Sequence, residues 1–85
     1  MEFKDSTKFI STVSAMKMDS DLYVFFDKTY DSVYIMDEWG YFIYNIVIEN
    51  TYKDIIYILS QYDGFNKNEL DDFILVLISN KIISE

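Results

Sequence analysis

The side chains in this chain that could do chemistry are those of Asp, Glu, Lys, Tyr and Ser, because its 85 residues include no His and no Cys. Without Cys there is no disulfide framework, no thiolate metal site and no cysteine nucleophile. Without His the commonest metal ligand and general base is missing. The pairs Asp19/Asp21 and Asp71/Asp72 invite comparison with a cation site. Neither carries the calcium-loop ligand series or its late bidentate Glu. They read instead as a solvated turn and as acids early in a helix, where the dipole favours negative charge. A substrate pocket also needs more wall than a chain this short can build. The expectation is a protein that is not an enzyme and holds no cofactor or metal.

Charge narrows the choice of partner. Seven basic residues, all Lys, stand against 15 acidic ones, giving a net charge of −8 and a pI near 4.2. Phosphate contact supplies most nucleic-acid affinity and needs the opposite sign, so no nucleic-acid partner is expected. Anionic membrane surfaces are disfavoured for the same reason. The longest apolar run, Phe73 to Ile78, is far short of the ~18 residues of a membrane span. The opening Met1-Glu2-Phe3-Lys4-Asp5 lacks the basic-then-apolar pattern of a signal peptide, which makes a cytoplasmic location the expectation. With 51% hydrophobic and 19% aromatic residues the chain must form a packed core, and at this length a single one.

The elements that must position any site follow from periodicity. Residues 1–10 read as an arm or short lead-in strand, and 11–85 as one domain. Strands are expected at 12–17, 22–26 and 32–36, with turns at 19–21 and 27–31 built from short polar side chains. Short connections favour an antiparallel meander. After Met36 the period changes to about 3.6 residues. Asp37 can cap a helix running to Glu49, with Phe42, Ile43, Ile46 and Val47 on one face. Gly40 inside that helix reads as a place of close packing. Thr51-Tyr52-Lys53-Asp54 resembles a capping box for a second helix to Gln61, lined by Ile55, Ile58 and Leu59 and stopped by Asp63-Gly64. Asn66 opens a third helix to Lys81, with Leu70, Phe73, Ile74, Leu77 and Lys81 on one stripe and the Lys81 ammonium reaching back to water. The predicted fold is α+β: a three-stranded antiparallel sheet followed by three helices, an order compatible with a winged helix-turn-helix-like relative.

Two features exceed what a minimal core requires. Leu75 and Val76 lie on the far side of the third helix from its core stripe, beside Asp72 and Ser79. Either that helix is buried on most sides, or these residues line a groove for a partner. The strand Ser32 to Met36 is short and uncharged, with no Pro or Lys guarding it. Its edge is either shielded by the arm or a helix, or open to an added peptide strand. Trp39 and the eight Tyr read as core and rim residues rather than a stacking platform.

The order of elements, and several residues, resemble the PqqD-like recognition elements that serve ribosomally made, post-translationally modified peptides. Val33-Tyr34-Ile35-Met36-Asp37 resembles that family's strand ending in Leu-Asn, with Met-Asp in its place. Ile43-Tyr44 resembles its apolar-aromatic helix position, and Asn50-Thr51-Tyr52-Lys53-Asp54-Ile55 its turn with Thr, an acid and Ile. The run from Phe73 to Ile83 resembles its closing helix, although Lys81 stands where a Gly is common and Leu75 and Val76 replace polar residues. The resemblance spans about Ser11 to Ile83. It implies a non-catalytic module that captures a precursor's leader peptide by strand addition and presents it, as a peptide chaperone, to a modifying enzyme. That enzyme would be a radical-SAM protein or a leader protease. It further implies backbone pairing by Ser32, Val33, Tyr34, Ile35 and Met36, and side-chain contacts from Asp72, Phe73, Leu75, Val76 and Ser79. The alternatives are a winged-helix DNA-binding or transcription-associated domain, which the charge opposes, and a small self-associating protein.

Overall fold

The computed structural model describes residues 3–18, 21–28 and 32–85. The elements run β1 (Ile10–Ser11), β2 (Ser14–Lys17), β3 (Leu22–Phe26), β4 (Ser32–Asp37), α1 (Glu38–Glu49), α2 (Tyr52–Leu59), α3 (Lys67–Ser79) and β5 (Ile83–Ser84). The fold is α+β, with an antiparallel sheet of order β2-β3-β4 preceding three helices. The expected turns at 19–21 and 27–31 fall partly outside the described residues, as Asp19, Ser20 and residues 29–31 do entirely.

Alternation builds the sheet. Phe25 pairs with Tyr34 and Tyr23 with Met36, which sets all four on the face that carries the helices. Tyr23 stacks on Tyr41 of α1 at 3.7 Å between ring centroids, and Phe25 meets Tyr44 edge-on at 4.8 Å. Near its start β4 carries one extra residue: Tyr34 faces Phe25 and Ser32 faces Phe26, so the register passes over Val33. The core gathers Phe25, Val47, Ile55, Ile74, Leu77, Ile82 and Ile83, all essentially without exposure.

Each helix begins at the cap its sequence announces. Asp37 accepts from Gly40 N at 2.7 Å, Thr51 from Asp54 N at 3.4 Å and Asn66 from Glu69 N at 3.1 Å. α2 ends at Leu59 with Ser60 as its cap, short of the expected Gln61, and Gly64 lies within the α2–α3 connection at φ 83° rather than at the helix end. Lys81, expected on the stripe of α3, lies beyond its end. It takes φ 59° in a left-handed cap where Lys81 N donates to Ile78 O and Ile82 N to Leu77 O. The chain then returns as β5 and pairs with β1, giving a second, two-stranded antiparallel sheet that the periodicity did not announce.

The segment from Phe3 to Phe9 is part of the core. Phe3 and Phe9 are buried and meet edge-on at 5.3 Å. Thr7 O accepts from Tyr52 N at 2.8 Å and Asp5 O from Lys53 N at 3.1 Å, so this arm satisfies donors of the first turn of α2. The face expected for α1 is rotated: Tyr44 and Val47 are buried, Ile43 and Ile46 half-buried, and Phe42 turns outward.

Candidate functional site

β4 is an edge strand. It pairs with β3 on one side, and among the described residues no strand pairs with its other side. The arm that could have shielded it packs on α2 instead. Tyr34 and Met36 point toward the helices, Met36 fully buried and Tyr34 half-buried. Ile35, opposite Val24 on the outer face, is 54% exposed. The strand therefore offers a guest its backbone, with Ile35 beside it, while the Met36 side chain is committed to the core.

The strand runs into α1 with no loop, because Asp37 is at once its last residue and the helix cap. Gly40 makes this junction tight. A Cβ there would stand 3.2 Å from the Asp37 carboxylate and 3.3 Å from the Met36 Cβ. At this junction opens a cavity of about 420 Å³. Asp37, Trp39, Gly40 and Ile43 form one wall, Leu70, Glu69 and Phe73 of α3 the other, and the α2–α3 connection the floor. Its carboxylates are Asp37, Asp63 and Glu69, and among the described residues no lysine lines it. Over its rim three exposed rings meet: Trp39 stacks on Phe42 at 5.3 Å, and Tyr62 sits edge-on to both at 5.9 and 5.8 Å.

α3 does not present its five expected contact residues together. Phe73 lines the cavity, and Val76, three positions on and 38% exposed, shares its flank. Leu75 lies about 160° around the helix from Phe73 and packs, half-buried, against the core. Asp72 and Ser79 are exposed between these flanks. One wall of a groove can thus include Phe73 and Val76 but not Leu75.

On the opposite flank of α3, Asp71 is bound rather than merely solvated. Tyr52 Oη donates to it at 2.5 Å and Lys67 Nζ at 3.0 Å. Burial, reinforced by the bond to Asp71, pushes the Tyr52 hydroxyl up from its ordinary pKa, and the same carboxylate holds the Lys67 ammonium up. Tyr44 is likewise pushed up by burial, although its hydrogen bond with Ser11 at 2.5 Å works the other way. These groups tie elements together, and none of them lines the cavity beside Phe73. Among the described residues no group of three or more acidic side chains gathers as a metal site, and no helix is long and apolar enough to cross a membrane.

The sequence places Trp39 and the tyrosines at the core or its rim and Phe42 on the apolar face of α1, but it does not bring Trp39, Phe42 and Tyr62 together. The available signal was the spacing of Trp39 and Phe42, three apart on one helix; nothing local announces Tyr62 from the next connection. No family model, no curated protein and no solved structure matches the chain.

Proposed function

We propose that the chain is a non-catalytic peptide-recognition module. An extended leader segment of a ribosomally made precursor adds to the free side of β4 as a further strand. Its apolar side chains reach the cavity beside Phe73. The observation that carries this reading is the one-sided pairing of β4, with a cavity walled by α3 opening where the strand ends. Backbone pairing supplies affinity and alternate side chains supply specificity. The resemblance to PqqD-like elements supports the same groove, a winged helix-turn-helix-like arrangement of the helices, and delivery of the guest to a radical-SAM enzyme or leader protease in the cytoplasm. Phe73 and Val76 serve as apolar anchors, because an interface below ~1,200 Å² depends on a few of them. The net charge of −8 opposes a nucleic-acid partner.

The test is titration of fluorescently labelled precursor leader peptides, with amide hydrogen exchange followed at Tyr34, Ile35 and Met36. Binding should slow exchange in β4, and Phe73→Ala should weaken it about tenfold. Unchanged exchange together with unchanged affinity in the variant would overturn the reading.

A further inference from the structure

The aromatic cluster on the rim asks for an occupant that neither the core nor the strand edge supplies. Trp39 is 53% exposed, Tyr62 44% and Phe42 38%, and they touch one another. Trp39 and Phe42 come from the outward face of α1 and Tyr62 from the α2–α3 connection. Trp39 and Tyr62 also form the ridge between the cavity described above and a shallow depression lined by Leu22, Glu38 and Phe42. Both concavities are ringed by carboxylates: Asp37, Asp63 and Glu69 in one, Asp21, Asp37 and Glu38 in the other. Lys17 pairs with Asp21 at 3.8 Å, and Asp37 caps α1, but among the described residues neither concavity has a basic side chain in its lining.

Exposed ring faces carry the negative side of the aromatic quadrupole, and a cation above them is attracted. Carboxylates at the rim add to that field in the same direction. A second copy of this chain is a poor occupant, because it would press one acidic rim against another on molecules of charge −8. Phosphate-bearing partners meet the same repulsion. A guanidinium suits the place: it is planar, weakly hydrated, stacks on aromatic rings and bonds carboxylates with a rigid fork of donors.

We infer that the Trp39–Phe42–Tyr62 cluster is a cation-accepting subsite for an arginine side chain of the guest peptide. That the guest is a peptide rests on the function proposed above; the cation site can be tested without it. Trp39 is the only Trp of the chain, so its fluorescence reports this position directly.

The probes are N-acetyl-arginine amide and its neutral isostere N-acetyl-citrulline amide, titrated into the full chain while Trp39 emission is recorded. The arginine probe should bind about tenfold more tightly than the citrulline probe. That preference should fall away in Phe42→Ala and in the Glu38→Gln/Asp63→Asn double variant. The charge substitutions lie at exposed positions outside the core, so they keep the test valid if Phe42→Ala disturbs folding. Added salt near 1 M, where the screening length is about 3 Å, should reduce the preference. Equal response to the two probes, or an arginine preference untouched in the double variant, overturns the subsite. If the arginine probe binds as expected while the leader leaves β4 exchange unchanged, the subsite stands and strand addition fails. If the leader protects β4 but neither probe is distinguished, the reverse holds.

Discussion

Tyr52 and Asp71 join α2 to α3 through one short hydrogen bond, the tyrosine hydroxyl donating to the carboxylate at 2.5 Å. Lys67 completes the group by donating to the other carboxylate oxygen at 3.0 Å and lying 5.7 Å from the centre of the Tyr52 ring. The tyrosine ring is buried and the carboxylate half-buried, so the bond works in a medium less polar than water. Tyr52→Phe keeps the ring and removes only the donor. It should cost about 1.5–3 kcal/mol, the range for a hydrogen bond to a charged group. In a domain of this size each kcal/mol lowers the melting temperature by about 4–8 °C. Thermal unfolding checks it, and a loss indistinguishable from zero would show that water replaces the tyrosine without penalty.

The same group makes the fold sensitive to alkali. Tyr44 and Tyr52 both ionise above their ordinary value of 10.0 in the folded chain, chiefly because burial penalises the phenolate. Lys67 is also held up, first of all by its bond to Asp71. A raised folded pKa means that the unfolded chain releases its proton first. The associated stability is complete below pH 10 and is lost as pH climbs through the folded values. Urea midpoints taken from pH 7 to 11.5 should be flat at first and then fall. Tyr52→Phe should start lower yet fall less steeply over the alkaline part.

Two left-handed residues predict substitutions of opposite sign. Lys81 sits at φ 59° in the cap that ends α3, where an L side chain carries a conformational cost. Its side chain is exposed and lines neither concavity. Lys81→Gly should therefore stabilise by about 0.5–1 kcal/mol, the relief of strain being partly offset by the greater freedom of Gly in the unfolded chain. Gly64 sits at φ 83° with open space where a Cβ would stand. Gly64→Ala should destabilise by about 1 kcal/mol through backbone strain alone. Denaturant midpoints of the two variants, displaced to opposite sides of the parent, are the expected result.

What the sequence made legible is whatever a local signal encodes. The three caps are single residues with the right side chain, and each makes its bond. The order of the strands follows from short connections between apolar runs. The β1–β5 pair was hidden, because two residues carry no periodicity and the partner lies some seventy positions away. The buried face of α1 is not legible for a different reason. Phe42, Ile43, Tyr44, Ile46 and Val47 surround much of that helix, so spacing alone does not choose which residues turn inward. The rim cluster stayed invisible because Tyr62 reaches Trp39 only through tertiary placement of the α2–α3 connection. On α3 the surplus apolar residues are plain in the sequence, but the helix divides them, Leu75 going to the core and Val76 to the surface.

Residues 3–10, the described part of the arm, are tied to the core. A domain boundary at residue 11 would leave them dispensable, yet Phe9 is 2% exposed and Phe3 packs between Phe9 and Tyr52, with ring centroids 5.3 and 5.4 Å away. Their backbone matters as much. Tyr52 N and Lys53 N find acceptors in Thr7 O and Asp5 O, Asp54 N in the Thr51 hydroxyl, and Ile55 N in Thr51 O. Ile55 N thus makes the first bond internal to the helix, and of the donors that precede it those of Tyr52, Lys53 and Asp54 are satisfied, two of them by the arm. Phe9→Ala should cost about 3–5 kcal/mol, as for other buried Phe truncations. That is a large part of the ~5–15 kcal/mol that a whole domain retains. A chain beginning at Ser11 loses both rings and both acceptors, and should show no cooperative thermal transition by circular dichroism. A sharp transition in that shortened chain, within a few degrees of the parent, would mean that the sheet and helices close their core without the arm.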